Sequence, residues 1–97
     1  MGGFIQTQAH VQLVSALVDD GLDPQAALDA PRFRVDGELV HLEEGLWPDA
    51  ERLERLGHRV VLDRDLATFG GGQAILRQGS VLVGGSDPRK DGYAAGF

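Results

Sequence analysis

The stretch that decides the fold is DPQAALDAPRF, Asp23 to Phe33. Asp23 is a short acceptor side chain suited to cap a helix, and Pro24 suits the first helical position, where no N–H is needed. Gln25 to Asp29 continue as a short helix. Pro31 stops it and pushes Ala30 toward an extended backbone. The next residues read RFRV-DG-ELVHL, with Phe33 and Val35 alternating with Arg32 and Arg34. That alternation is a strand, and Asp36-Gly37 is a two-residue hairpin signal. The chain therefore passes from helix to strand within one turn of Pro31.

Upstream, Gln8 to Asp20 reads as a first helix. Val11, Val14, Leu17 and Val18 recur at three- and four-residue spacing. Leu13 and Ala16 widen the apolar surface beyond one stripe, which predicts cover on more than one side. Gly21 is read as its stop. Downstream, the return strand runs from Glu38 to Glu43. Trp47-Pro48-Asp49 leads into a third helix with Leu53 and Leu56 on one face and Gly57 at its end. A strand follows over His58 to Leu62. TFGGGQ is a tight turn between strands that needs positive φ. QAILRQGSVLVGG is a second hairpin, turning near Gln78-Gly79. The tail is rich in turn residues, with Asp87-Pro88 and Asp91-Gly92 as breakers. Its last residues, YAAGF, alternate as a strand inside a sheet would. The predicted order is α-α-β-β-α-β-β-β, an α+β unit over residues 1–97 without repeats or a low-complexity linker.

Ninety-seven residues suffice for one core and not two. Apolar residues at 42% and charged residues at 25% are globular proportions, so disorder is not indicated. The absence of cysteine excludes disulfides, thiolate zinc sites and a cysteine nucleophile. A net charge of -6 argues against a nucleic-acid partner, which needs a basic face. No apolar run approaches the ~20 residues that span a bilayer. No basic n-region marks a signal peptide, and the compartment is left open. The cations are eight arginines and Lys90, a bias read as genome composition rather than function.

The chemistry-bearing residues assemble into nothing complete. His10, His41 and His58 show no metal-ligand spacing and read as structural. Asp19-Asp20, Glu43-Glu44 and Asp63-x-Asp65 each lie at an element end, where solvated charge is the ordinary state. FGGGQ lacks the spacing of a phosphate loop. Thr7, Ser15, Thr68, Ser80 and Ser86 lie in no nucleophile motif. Gly2-Gly3 is the one remaining signal. Two adjacent glycines can turn two N–H groups on one point, as an oxyanion hole requires.

Three stretches together carry a resemblance. MGGFIQTQAHVQLVSALVDDGLDPQAALDAPRF, then FGGGQAI, then GGSDPRKDGYAAGF are similar, in this order, to the C-terminal part of the gamma-glutamyltranspeptidase family. The resemblance implies a four-layer αββα sandwich of the N-terminal-nucleophile hydrolases. It implies a precursor that cleaves itself, a new N-terminal Thr that attacks a gamma-glutamyl amide, and an α-amino group that serves as base. An acyl-enzyme would pass its glutamyl group to water or to an amino-acid acceptor.

Carried onto this sequence, Gly2 and Gly3 correspond to the family's oxyanion glycines. The Thr nucleophile, the Ser-Ser stretch and the groups that hold the substrate carboxylate and amine have no counterpart. Thr7 and Thr68 stand elsewhere. The chain is thus expected to be about the last half of a small subunit, with the upstream precursor as its partner, inactive alone, and requiring no cofactor or metal. The alternatives are a non-catalytic truncated product that acts as an oligomeric module, and a scaffold acting on another amide.

Overall fold

The computed structural model describes residues 3–96. Helix α1, Ile5–Val18, starts three residues earlier than the periodicity suggested and precedes α2, Pro24–Asp29. The reading of DPQAALDAPRF holds in detail. The Asp23 carboxylate accepts the Ala26 N–H at 2.7 Å, and Pro24 fills the first turn. Ala30 leaves in an extended conformation, φ -57° and ψ 139°, ahead of Pro31.

Strands β1, Phe33–Asp36, and β2, Leu39–Leu42, pair antiparallel with Asp36 opposite Leu39. The hairpin loop is therefore Gly37-Glu38, one residue beyond the predicted Asp36-Gly37. The reason is conformational: the positive φ of the turn, 59°, falls on Gly37, and a glycine takes it without Cβ strain. A 3-10 turn over Glu44–Asp49 and helix α3, Ala50–Arg55, then cross over to β3, Arg59–Leu62, which lies parallel to β2. Trp47 pins this crossover by donating its indole N–H to the Leu42 carbonyl at 3.0 Å. Leu56, expected on the packed face of α3, is exposed at the end of the helix.

A 3-10 turn over Leu66–Phe69 leads to β4, Gln73–Gln78, and β5, Val81–Ser86, a hairpin of its own. FGGGQ thus joins a helical turn to a strand rather than two strands. The described chain holds two sheets, one ordered β1-β2-β3 and one β4-β5. The predicted α+β class and element order stand. The expected tail strand does not form: residues 93–96 have no regular structure, and Ala94 packs over Gly84.

The largest side chains wholly removed from water are Phe69, Leu28, Leu42, Asp87 and Pro24. A carboxylate among them means that the core is partly ionic.

Helix α1 meets this body through small residues. Ala9 and Ala16 are its buried positions. Of the predicted stripe, Leu17 is half-buried, while Val11, Val14 and Val18 face away and are 68%, 55% and 74% exposed. The expectation of cover on several sides is thus not met by the described residues. Small residues let α1 approach β1 closely enough for two glutamines to reach it. Gln8 bonds both backbone groups of Val35, and Gln12 both of Phe33.

Candidate functional site

Of the two site residues read from sequence, Gly3 stands ahead of α1. Gly2 lies outside the described residues. Gly3 turns with φ 72°, and its carbonyl accepts the Gln6 N–H at 3.3 Å. Among the described residues, apart from its chain neighbours, nothing lies within 4 Å of the point where a Cβ would stand on Gly3. Phe4 occupies the cap position and its side chain makes no capping bond. No side chain therefore competes at this end of α1, where N–H groups carry the positive end of the helix dipole.

A cleft of about 440 Å³ begins at Gln6 on the first turn of α1 and runs toward the glycine loop. His10, Leu13, Gly71, Gly72, Gln73 and Lys90 complete its lining. These groups are two amides, an imidazole, an ammonium, backbone and the apolar side chain of Leu13, with no carboxylate among them. Lys90 lies so close over Gly71 that an added Cβ would collide with its side-chain carbons. Glycine at 71 is what lets the lysine cross there.

Beneath the glycine loop sits a charged cluster that the sequence reading did not find. Arg32 and Asp87 meet at 2.6 Å with side chains 3% and 0% exposed. Arg89 spans Asp87 at 2.9 Å and Glu43 at 2.7 Å. Backbone carbonyls accept further donors. Arg32 Nη1 donates to the Phe69 carbonyl at 3.1 Å, and Arg89 donates to Leu28 at 2.7 Å and Ala30 at 2.9 Å. Gly72 donates its N–H to Asp87 at 3.0 Å. The loop does cradle an anion, and the anion is the chain's own carboxylate.

Burial raises the Asp87 pKa, but the Arg89 N–H and the guanidinium groups of Arg89 and Arg32 outweigh it, leaving the group below its ordinary value. Two positive and two negative side chains close the cluster, as buried charge requires. The three stretches that carried the resemblance thus meet here, through Arg32 of the first, Gly72 of the second, and Asp87 and Arg89 of the third. Glu43, expected to be solvated, is buried with them. The separations along the chain, 46 residues for Glu43 and Arg89 and 55 for Arg32 and Asp87, explain why no local pattern announced the cluster. The signal available was the arginine excess, which the composition argument set aside.

The histidines and hydroxyls form no nucleophilic site among the described residues. His41 Nδ1 lies 3.1 Å from Asp63 Oδ2, and the Thr68 hydroxyl donates to the same oxygen at 3.4 Å. The carboxylate stands between the imidazole and the hydroxyl, whereas activation of a hydroxyl needs the imidazole in the middle. The Asp65 N–H, opposed by burial and then assisted by His41, keeps the Asp63 pKa below its ordinary value. Thr7 is exposed on α1. No group of three metal-ligating side chains occurs among the described residues.

This architecture is shared with solved enzymes of one class. The chain superposes over its whole length on a cephalosporin acylase from Bacillus halodurans, with a TM-score of 0.92 and 44% identity, and covers 19% of that chain. It superposes over 94% of its length on a gamma-glutamyltranspeptidase from Pseudomonas nitroreducens, covering 49% of that chain, with a TM-score of 0.80. At 21% identity that likeness concerns the fold alone.

The family model for gamma-glutamyltranspeptidase matches residues 1–97, and the chain belongs to that family. It is 33% identical to the glutathione hydrolase-like YwrD proenzyme of Bacillus subtilis, over 99% of this chain. It is 31% identical to the oxamate amidohydrolase proenzyme of Klebsiella pneumoniae, over 100% of this chain. It spans 20% of the length of each of these two curated relatives.

Proposed function

We propose that this chain is the segment of a gamma-glutamyltranspeptidase-type enzyme that supplies the oxyanion glycines, Gly2 and Gly3. The reading is supported by the family match over residues 1–97 and by Gly3, which precedes a helix start whose cap residue Phe4 makes no side-chain bond. In the complete enzyme an N-terminal Thr attacks a gamma-glutamyl amide. The Thr Oγ–carbonyl bond forms, the amide C–N bond breaks, and the amine leaves with the proton that the α-amino base took from Thr. The two glycine N–H groups receive the negative oxygen of the tetrahedral intermediate. Losing one such donor costs about 100-fold in kcat.

The cleft that starts at Gln6 supports a substrate carrying a carboxylate beside an apolar portion, because ammonium, imidazole and amide groups line it together with Leu13. A glutathione-type amide is such a substrate. A second reading is favoured by the 44% identity to a cephalosporin acylase and the 31% identity to an oxamate amidohydrolase proenzyme: the scissile amide bears another acyl group.

The test is made on the complete enzyme. Gly3→Val lowers kcat by about 100-fold while the protein stays folded. Near-normal kcat in folded Gly3→Val overturns the oxyanion reading. A panel of gamma-glutamyl, oxamyl and larger acyl anilides separates the two substrate readings. This chain alone releases nothing from any of them above the buffer blank, and turnover by the pure chain overturns its assignment as a segment without a nucleophile.

A further inference from the structure

We infer that Gln8 and Gln12 are positioning residues that fix the turn at Gly3 by clamping α1 to the outer edge of β1. The inference rests on the proposed role of that turn. Antiparallel pairing with β2 leaves the N–H and C=O of alternate β1 residues pointing outward. In this strand those residues are Phe33 and Val35, and each finds one glutamine. Gln8 donates to the Val35 carbonyl at 2.9 Å and accepts the Val35 N–H at 2.7 Å. Gln12 donates to the Phe33 carbonyl at 2.8 Å and accepts the Phe33 N–H at 3.1 Å. Each primary amide thus makes the two bonds that a neighbouring strand would make.

The spacing explains why a helix can do this. Residues four apart on a helix are about 6 Å apart along its axis, and alternate strand residues about 6.6 Å apart. Two glutamines at that interval meet two strand residues in reverse order, so α1 runs antiparallel to β1. A shift of α1 by one residue turns both glutamines by about 100° and breaks all four bonds together. The clamp is therefore a register lock rather than a pair of separate contacts.

Helix α1 also meets α2 and the turn at Leu66–Phe69, but without large buried side chains of its own. Its buried residues are two alanines, and its valine face is open. Small side chains permit close approach but do not resist sliding or rotation. Gly3 and Phe4 lead straight into α1, so the placement of the helix sets the placement of the turn. A displacement of the reacting geometry by about 1 Å costs on the order of 100-fold in rate.

The experiment has two arms. In this chain, amide hydrogen exchange reads the clamp directly. Gln12→Met speeds exchange at Phe33 by about 10-fold or more, and Gln8→Met does so at Val35, as loss of a ~1.4 kcal/mol bond allows. Unchanged exchange at both amides overturns the clamp. In the complete enzyme, the double Gln8→Leu/Gln12→Leu variant lowers kcat by about 10-fold or more with KM within about twofold. If the double variant does not fold, the single methionine variants serve, each with a smaller loss. Folded variants with full kcat overturn the positioning role.

Gly3→Val separates this inference from the reading beneath it. Gly3→Val slowed with glutamine variants at full rate removes the clamp's role alone. Gly3→Val at full rate removes the oxyanion assignment, while the exchange result still reports on the clamp.

Discussion

Asp87 accepts four hydrogen bonds. Oδ2 takes Arg32 Nη2 and the Gly72 N–H, and Oδ1 takes the Arg89 N–H and Arg89 Nη1. A carboxylate has about four acceptor sites, so none is left for a ligand. The residue ties Arg32, the glycine loop and Arg89 together. Asp87→Asn places an NH₂ among guanidinium donors and leaves buried positive charge uncompensated, at a cost of about 3–5 kcal/mol. A urea melt of the folded chain reads that loss as a lower midpoint, and an unchanged midpoint refutes the structural role. The pH dependence follows from the lowered folded-state pKa. The unfolded carboxyl titrates near 3.8 and the folded one below it. Between those values the unfolded state holds more protons, so stability rises with pH there. The Asp87 contribution is full above about 3.8 and is lost as pH falls through the folded value. Asp87→Asn flattens this part of the acid-stability curve.

Helix α2 meets β5 where Gly85 leaves room for it. A Cβ on Gly85 would stand 2.8 Å from both the Gln25 nitrogen and the Pro24 carbonyl carbon, which are backbone atoms with no rotamer to change. Gln25 closes the same junction, accepting the Ser86 N–H at 3.0 Å and donating to the Ser86 carbonyl at 2.8 Å. Gly85→Ala therefore pushes α2 away from the hairpin and costs about 1–3 kcal/mol, with a matching fall in Tm. Wild-type Tm for Gly85→Ala would mean that α2 is free to give way. Junctions of this kind set the limit of what the sequence discloses. The cap at Asp23, the break at Pro31 and the glycine turns at Gly37 and Gly79 act through neighbours in the chain, so local patterns reveal them. The face of α1 that turns inward depends on β1. Periodicity favoured the valines, whereas the glutamine contacts put Ala9 and Ala16 inside. Glu43 read as solvated charge because Arg89, which neutralises it, lies 46 residues away. Gln8 and Gln12 showed only a spacing of four on a helix, which acquires meaning beside a strand edge.

At the scale of the whole molecule, the described surface is incomplete. Val11, Val14 and Val18 line one open face of α1, and Ile75, Val81 and Leu82 are exposed on the hairpin. Water-exposed apolar faces of this kind favour association. Strand edges add to the tendency, but unequally. The outer groups of β1 are already bonded by Gln8 and Gln12, while β3 and β4 have no strand on their outer sides among the described residues. A further strand can therefore join at β3 or β4 and is blocked at β1. In a longer enzyme the remaining chain would supply that cover. For this chain alone, a second copy is the available source, through a self-complementary two-fold contact. The expected outcome is a homodimer or higher oligomer by light scattering at micromolar concentration. Placing charge on the open helix face, with Val11→Lys and Val18→Lys together, shifts the population toward monomer without disturbing Ala9, Ala16 or the glutamine pairs. A wild-type chain that stays monomeric and melts cooperatively would show that these faces need no partner. Charged variants that associate as strongly as the wild type would instead place the contact on the hairpin or on the edges of β3 and β4.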